Sequence, residues 1–185
     1  PVSDLALAFT VFGRKVDAPL RTGATLTDAH GNAHISGGEG EASIEVWVVS
    51  DSYCLAGGSA KIPLDHAAHT LTLSEAFSIK LDVRFEDDQQ YTGPLLIRSE
   101  PQGMFSRAYS APGVALSYSG PRGSKPEPDP SGLYEVRGVS RDLDLVCTAT
   151  PNRTGYGWLN ATLAKADLVP NGNYTLRIAR ATAKQ

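Results

Sequence analysis

Seven consecutive residues, Ile79-Lys80-Leu81-Asp82-Val83-Arg84-Phe85, alternate apolar and charged without an error. Neighbouring side chains of a β-strand point to opposite faces. This spacing therefore sets Ile79, Leu81, Val83 and Phe85 against a core and leaves the three charges in water. The same period returns in Ile44, Val46 and Val48, with Ser43, Glu45 and Trp47 on the other face, and again in Leu143 and Leu145 and in Tyr174, Leu176 and Ile178. Further β-type runs fall at residues 6–12, 23–27, 59–62, 70–73, 95–98, 133–136, 143–149 and 158–163. Each is short and bounded by Gly, Pro, Asn, Asp or Ser, and 18 glycines with 12 prolines interrupt the chain too often for long helices. Helical spacing is confined to a turn or two at 163–169, ended by Pro170. The expected class is all-β, in antiparallel Ig-like or prealbumin-like sandwiches.

Two stretches carry similar wording. The first is Val11-Phe12-Gly13-Arg14-Lys15, Thr22-Gly23-Ala24-Thr25-Leu26 and Asp28-Ala29-His30-Gly31-Asn32-Ala33-His34-Ile35. The second is Val83-Arg84-Phe85-Glu86-Asp87, Thr92-Gly93-Pro94-Leu95-Leu96 and Asp129-Pro130-Ser131-Gly132-Leu133-Tyr134-Glu135-Val136. A repeated β unit predicts two tandem modules, 1–76 and 77–185, meeting near 74–78 without a Pro-rich linker and so packing closely. One larger jelly-roll-like sandwich is the architectural alternative. A Pro-rich loop insertion is expected near 101–131. Within it, 120–131 reads as an exposed extended loop, and Met104, Phe105 and Tyr109 are expected to cover one end of the second sandwich.

The 185 residues suit one large or two small domains, and 41% hydrophobic residues allow only modest cores. A formal net charge of -3 argues against nucleic acid as a partner, since that footprint is a strong basic excess. No apolar run approaches the ~20 residues of a membrane span. Leu5-Ala6-Leu7-Ala8-Phe9 is too short for the core of a signal peptide, and the start at Pro1 reads as that of an excised fragment. A bridge between Cys54 and Cys147 would have to join the two modules, so two unpaired, buried cysteines are expected.

The order of these signals resembles the carboxypeptidase regulatory-like (transthyretin-like) β-sandwich modules. That pattern runs through an opening strand, a glycine-led apolar strand, an Asp/Gly turn, an alternating strand and a Gly-Tyr element. The first copy supplies Thr22–Leu26 for the glycine-led strand, 28–35 for the turn and Ile44-Glu45-Val46-Trp47-Val48 for the alternating strand. The second supplies Thr92–Leu96, 129–136, Leu143-Asp144-Leu145-Val146 and Gly155-Tyr156. The first copy lacks the Gly-Tyr, for which Asp51-Ser52-Tyr53 stands in, and the second carries the long insertion. The resemblance implies non-catalytic accessory or surface modules.

Several residue groups are candidate sites. His30, His34, His66 and His69, with Asp28 or Asp65, offer imidazoles for zinc or copper, His30 and His34 sharing a strand face; no recognised metal spacing is present, and exposed, unrelated histidines are the plainer expectation. Glu86-Asp87-Asp88, with Asp82, offers carboxylates for calcium or simply a solvated turn. Ser50-Asp51-Ser52 with His66 or His69 has the parts of a serine triad but no nucleophile elbow, and no acid pair stands out for glycoside hydrolysis. Trp47, Tyr53, Tyr156 and Trp158 are the candidate ligand contacts, because an aromatic face stacks on a sugar ring; the alternative use of the same rings is core burial. Asn152, Asn160 and Asn173 each open an N-x-T triplet, meaningful only in a eukaryotic secretory setting, while the Ala-, Gly- and Arg-rich composition leans towards bacteria.

The expectation is thus a non-catalytic structural or binding module of a larger extracytoplasmic, secreted or cell-surface protein, with no cofactor, no metal and no catalytic residue. Its partners would be other domains of the same protein, another protein or a glycan. The rivals are a carbohydrate-binding accessory module and an assembly or capsid-type subunit.

Overall fold

The computed structural model describes residues 1–14, 19–100, 106–111, 114–116 and 130–181. Its chain divides into two compact units, Pro1–Ala76 and Phe77–Gln185. Both are built from strands.

In the first unit, strands β1 (Ala6–Gly13), β2 (Pro19–Leu26), β3 (Glu41–Val49) and β5 (Ala60–Pro63) form an antiparallel sheet in the order β2-β1-β3-β5, while β4 (Tyr53–Leu55) pairs with β6 (Leu73–Glu75). The register sets Phe9 opposite Val46 and Val11 opposite Ile44. These four are buried with Leu5 and Leu7, and Tyr53, Ile62 and Leu73 pack against them. Alternation therefore does what its period requires: one face of β1 and β3 closes a core at roughly 1.5–3 kcal/mol for each fully buried large side chain. Gly23 lies across from Phe9, and a Cβ there would come within 2.5 Å of the ring. The ring covers the glycine, and the Arg21 guanidinium sits 5.6 Å from its centroid. Buried Thr27 fastens the N-terminal segment, its hydroxyl accepting from the Leu5 N–H at 2.9 Å and donating to the Val2 carbonyl at 2.6 Å.

The second unit contains β7 (Phe77–Phe85), β8 (Leu95–Glu100), β9 (Ser106–Ala111), β10 (Val114–Leu116), β11 (Tyr134–Val139), β12 (Asp144–Ala149), β13 (Leu159–Leu163) and β14 (Asn173–Ile178). A single 3-10 turn, Lys165–Asp167, stands where helical spacing was read. One sheet runs β10-β9-β8-β12-β13, all antiparallel; the other runs β11-β7-β14. The alternating residues Ile79, Leu81, Val83 and Phe85 face the core, met by Ile97, Leu145, Cys147, Leu176 and Ile178. One ladder departs from the antiparallel rule: β14 runs parallel to β7, with Asn173 beside Lys80 and Ile178 beside Phe85. Tyr134 is fully buried, and its hydroxyl donates to the Gly93 carbonyl at 2.5 Å.

The similar wording of the two stretches does not carry into topology. In the first unit β2 lies beside β1 in one sheet; in the second, β8 belongs to the sheet that does not contain β7. The third segments also part. Residues 134–136 enter β11, but 28–35 close a turn and then run irregularly, because the Asp28 carboxylate accepts the N–H groups of both His30 and Asn32 at 2.8 Å. Within the expected insertion, β9 and β10 extend the five-stranded sheet. Met104, Phe105 and residues 120–129 lie outside the described residues, as does the side chain of Tyr109. Cys54 and Cys147 form no disulfide and are buried in different units.

Candidate functional site

The densest group of functional side chains gathers where β7 ends. Its alternation carries Phe85 inward and then gives way to Glu86-Asp87-Asp88, a turn held by the Phe85 N–H to Gln89 carbonyl bond at 2.9 Å and by Asp88 at φ 63°. The segment between β12 and β13 folds over this turn. The rings of Phe85 and Tyr156 meet edge-on with centroids 4.7 Å apart, and the Arg153 guanidinium lies 4.6 Å from each ring. Arg153 also grips Asp87 through both carboxylate oxygens, at 2.7 and 3.3 Å. That pairing chiefly holds the Asp87 carboxyl below its ordinary range and raises the Arg153 guanidinium. The Tyr156 hydroxyl contributes to the Asp87 shift but is buried without a well-formed hydrogen bond.

Every carboxylate weighed for calcium is engaged in this region. Asp82 pairs with Arg84 at 2.7 Å, Asp88 with Arg177 at 2.7 Å, and Glu86 accepts the Arg180 N–H at 3.2 Å. One oxygen of Asp82, Oδ1, is buried without a hydrogen-bond partner. The turn is an ionic and aromatic fastening rather than an open oxygen cage. The sequence signal that points to it is charge accounting: three successive acids at a strand end call for cations, and Arg153 and Arg177 reach Asp87 and Asp88 from far along the chain.

The histidines do not converge. His30 sits in the Asp28 turn and His34 in irregular chain, not on a common strand face; the His34 Nε2 lies 3.3 Å from the Ser36 hydroxyl. His66 has φ 63°, and His69 Nε2 contacts Asp65 Oδ1 at 2.9 Å, which is the main reason the Asp65 carboxyl is lowered. Among the described residues no three His, Cys, Asp or Glu side chains are grouped as a metal ion would require. Ser50 is committed to the backbone, its hydroxyl accepting from the N–H groups of Ser52 at 3.1 Å and Tyr53 at 3.2 Å. Cys147 is enclosed by the second core, and burial pushes its thiol up to about 12. A thiol held neutral is a poor nucleophile.

The four aromatic candidates are divided between the units, Trp47 and Tyr53 in the first and Tyr156 and Trp158 in the second. Trp47 lies half-buried on the outer face of β3, in one cross-strand row with Ala8 and Ala24. Tyr53 packs against the first core and Tyr156 against the second. Trp158 differs from all of them, being 80% exposed just before β13. Tyr156 and Trp158 both precede β13, which begins only at Leu159, and the Tyr156 ring meets that of Phe85.

No family model matches this chain, and no curated protein does. Among solved structures it is similar to crystal structures of mutant forms of the shaft pilin SpaA from Lactobacillus rhamnosus GG. One such form is 10% identical over 100% of this chain and 88% of that chain, with a TM-score of 0.37. A double mutant is 11% identical over the same shares, with a TM-score of 0.38. An overlap this loose carries no argument about use. The described residues contain no helix long and apolar enough to cross a membrane.

Proposed function

We propose that this chain is a non-catalytic structural module of an extracytoplasmic or surface protein, made of two β units joined in tandem at Ala76–Phe77. The observation that carries the reading is how the reactive side chains are used. Arg153 and Asp87 lock a loop onto the end of β7, Ser50 holds a bend, and Cys147 fills a core. Chemistry at a site needs such groups aimed together at a substrate, whereas here each supports the local fold. Units of this kind space or present other parts of a protein, and their partners are neighbouring domains.

A second reading, glycan binding, is favoured by one observation: Trp158 keeps an indole face in water at a strand edge. A glycan array probed with the full chain and with Trp158→Ala, beside a panel of hydrolase substrates, separates the readings. The structural module predicts neither saturable binding nor turnover. Saturable binding lost in Trp158→Ala replaces it with the glycan reading, and turnover contradicts both.

A further inference from the structure

We propose that the second unit is a tension-bearing element in which β7 and β14 act as a shear clamp, an inference that rests on the structural reading above and gives it a physical task. Among the described residues, β7 and β14 form the one parallel ladder. Chain enters this unit at Phe77, the first residue of β7, and its last strand, β14, ends at Ile178, after which residues 179–181 stay paired to the 155–157 segment. Because the two strands run in the same direction side by side, Phe77 and Ile178 stand at opposite ends of their shared ladder. A pull on the flanking chain therefore draws β7 one way and β14 the other, along the strand axes and across the hydrogen bonds.

In that geometry no rung opens before its neighbours. The register spans six residue pairs, Lys80 with Asn173 through Phe85 with Ile178. Bonds at both ends close it: Asn171 N–H to Ser78 carbonyl at 2.7 Å and Lys80 N–H to Gly172 carbonyl at 2.8 Å at one end, Glu86 N–H to Ile178 carbonyl at 3.2 Å at the other. All bear the load together, and Val83, Phe85, Leu176 and Ile178 must leave the core at the same step. The exit end carries extra fastenings just where β14 would begin to slide. Arg177 pairs with Asp88, the Arg180 N–H bonds Glu86, and the Ala181 N–H reaches the Gly155 carbonyl at 2.9 Å beneath the Arg153–Asp87 contact. Among the described residues the first unit has no such arrangement. Its first strand lies between β2 and β3, and its last, β6, is held to β4 by three residue pairs.

Single-molecule pulling on the full chain tests the clamp with one fold and two attachment geometries. Handles on Glu75→Cys and Ala179→Cys load β7 against β14 in shear. Handles on Glu75→Cys and Pro170→Cys, which both lie at the Phe77 end, peel the same ladder one rung at a time. All three positions are exposed, while the native cysteines are buried. The clamp predicts a rupture force several-fold higher in the first geometry, because rungs that share a load resist as a group. Circular dichroism on both variants establishes that the fold is kept, so a difference in force reports geometry. Equal forces, or a lower force in shear, overturn the clamp and leave the non-catalytic reading standing; that reading falls only to turnover or saturable ligand binding.

Discussion

Tyr134 and Cys147 show how single side chains tie the second unit to its solvent conditions. Tyr134 donates from full burial to a loop carbonyl, and desolvation raises its phenol well above the ordinary value of about 10. The Cys147 thiol rises to about 12 for the same reason. In the unfolded chain these groups ionise at their ordinary values, about 8.5 for a thiol and about 10 for a phenol, whereas the fold keeps them neutral to higher pH. Above about pH 8.5 the unfolded state therefore binds fewer protons, and stability falls as pH rises. We expect urea midpoints for the second unit to drop between pH 7 and pH 10 in the native chain. Tyr134→Phe should lose about 1–3 kcal/mol already at pH 7, since the Gly93 carbonyl is left without its donor, and should lose less than the native chain on going to pH 10. A Tyr134→Phe midpoint equal to the native one at both pH values would deny the phenol this role.

At the level of strands, Gly23 exists for Phe9. Gly23→Ala places a Cβ within 2.5 Å of the ring and should destabilise the first unit by about 1–3 kcal/mol, as overpacked cores do. Gly37→Ala, whose Cβ would find only Leu64 at 3.7 Å, should shift the urea midpoint little. Equal midpoints for both variants would remove the packing argument. Much of the strand content was legible because alternation is local: β1, β3, β7, β12 and β14 follow from apolar residues two apart. What is not local was hidden. The strands β4 and β10 are three residues long and β9 is weakly patterned, and β14 joining β7 in parallel is fixed by the whole sandwich rather than by its six residues. His30 and His34 misled for a related reason. A strand was read through residues whose backbone the Asp28 side chain captures into a turn. The acids at 86–88 signal a need for cations, but that Arg153 answers it, stacked on Phe85 and Tyr156, is set only by folding.

For the molecule as a whole, the account depends on two separately closed interiors. One gathers around Val11, Ile44 and Val46, the other around Ile79, Leu81 and Tyr134. The proposed spacing and load-bearing both require units that keep their shape individually. Ile79 is fully buried in the second interior, so Ile79→Ala should cost about 2–5 kcal/mol there. Hydrogen exchange followed by mass spectrometry on the full-length Ile79→Ala chain gives the most direct test. Amides of β7, β12 and β14 should exchange faster than in the native chain, while those of β1 and β3 keep their native rates. Faster exchange in β1 and β3 as well would mean that the two interiors open as one, and the picture of two self-contained β units would be wrong.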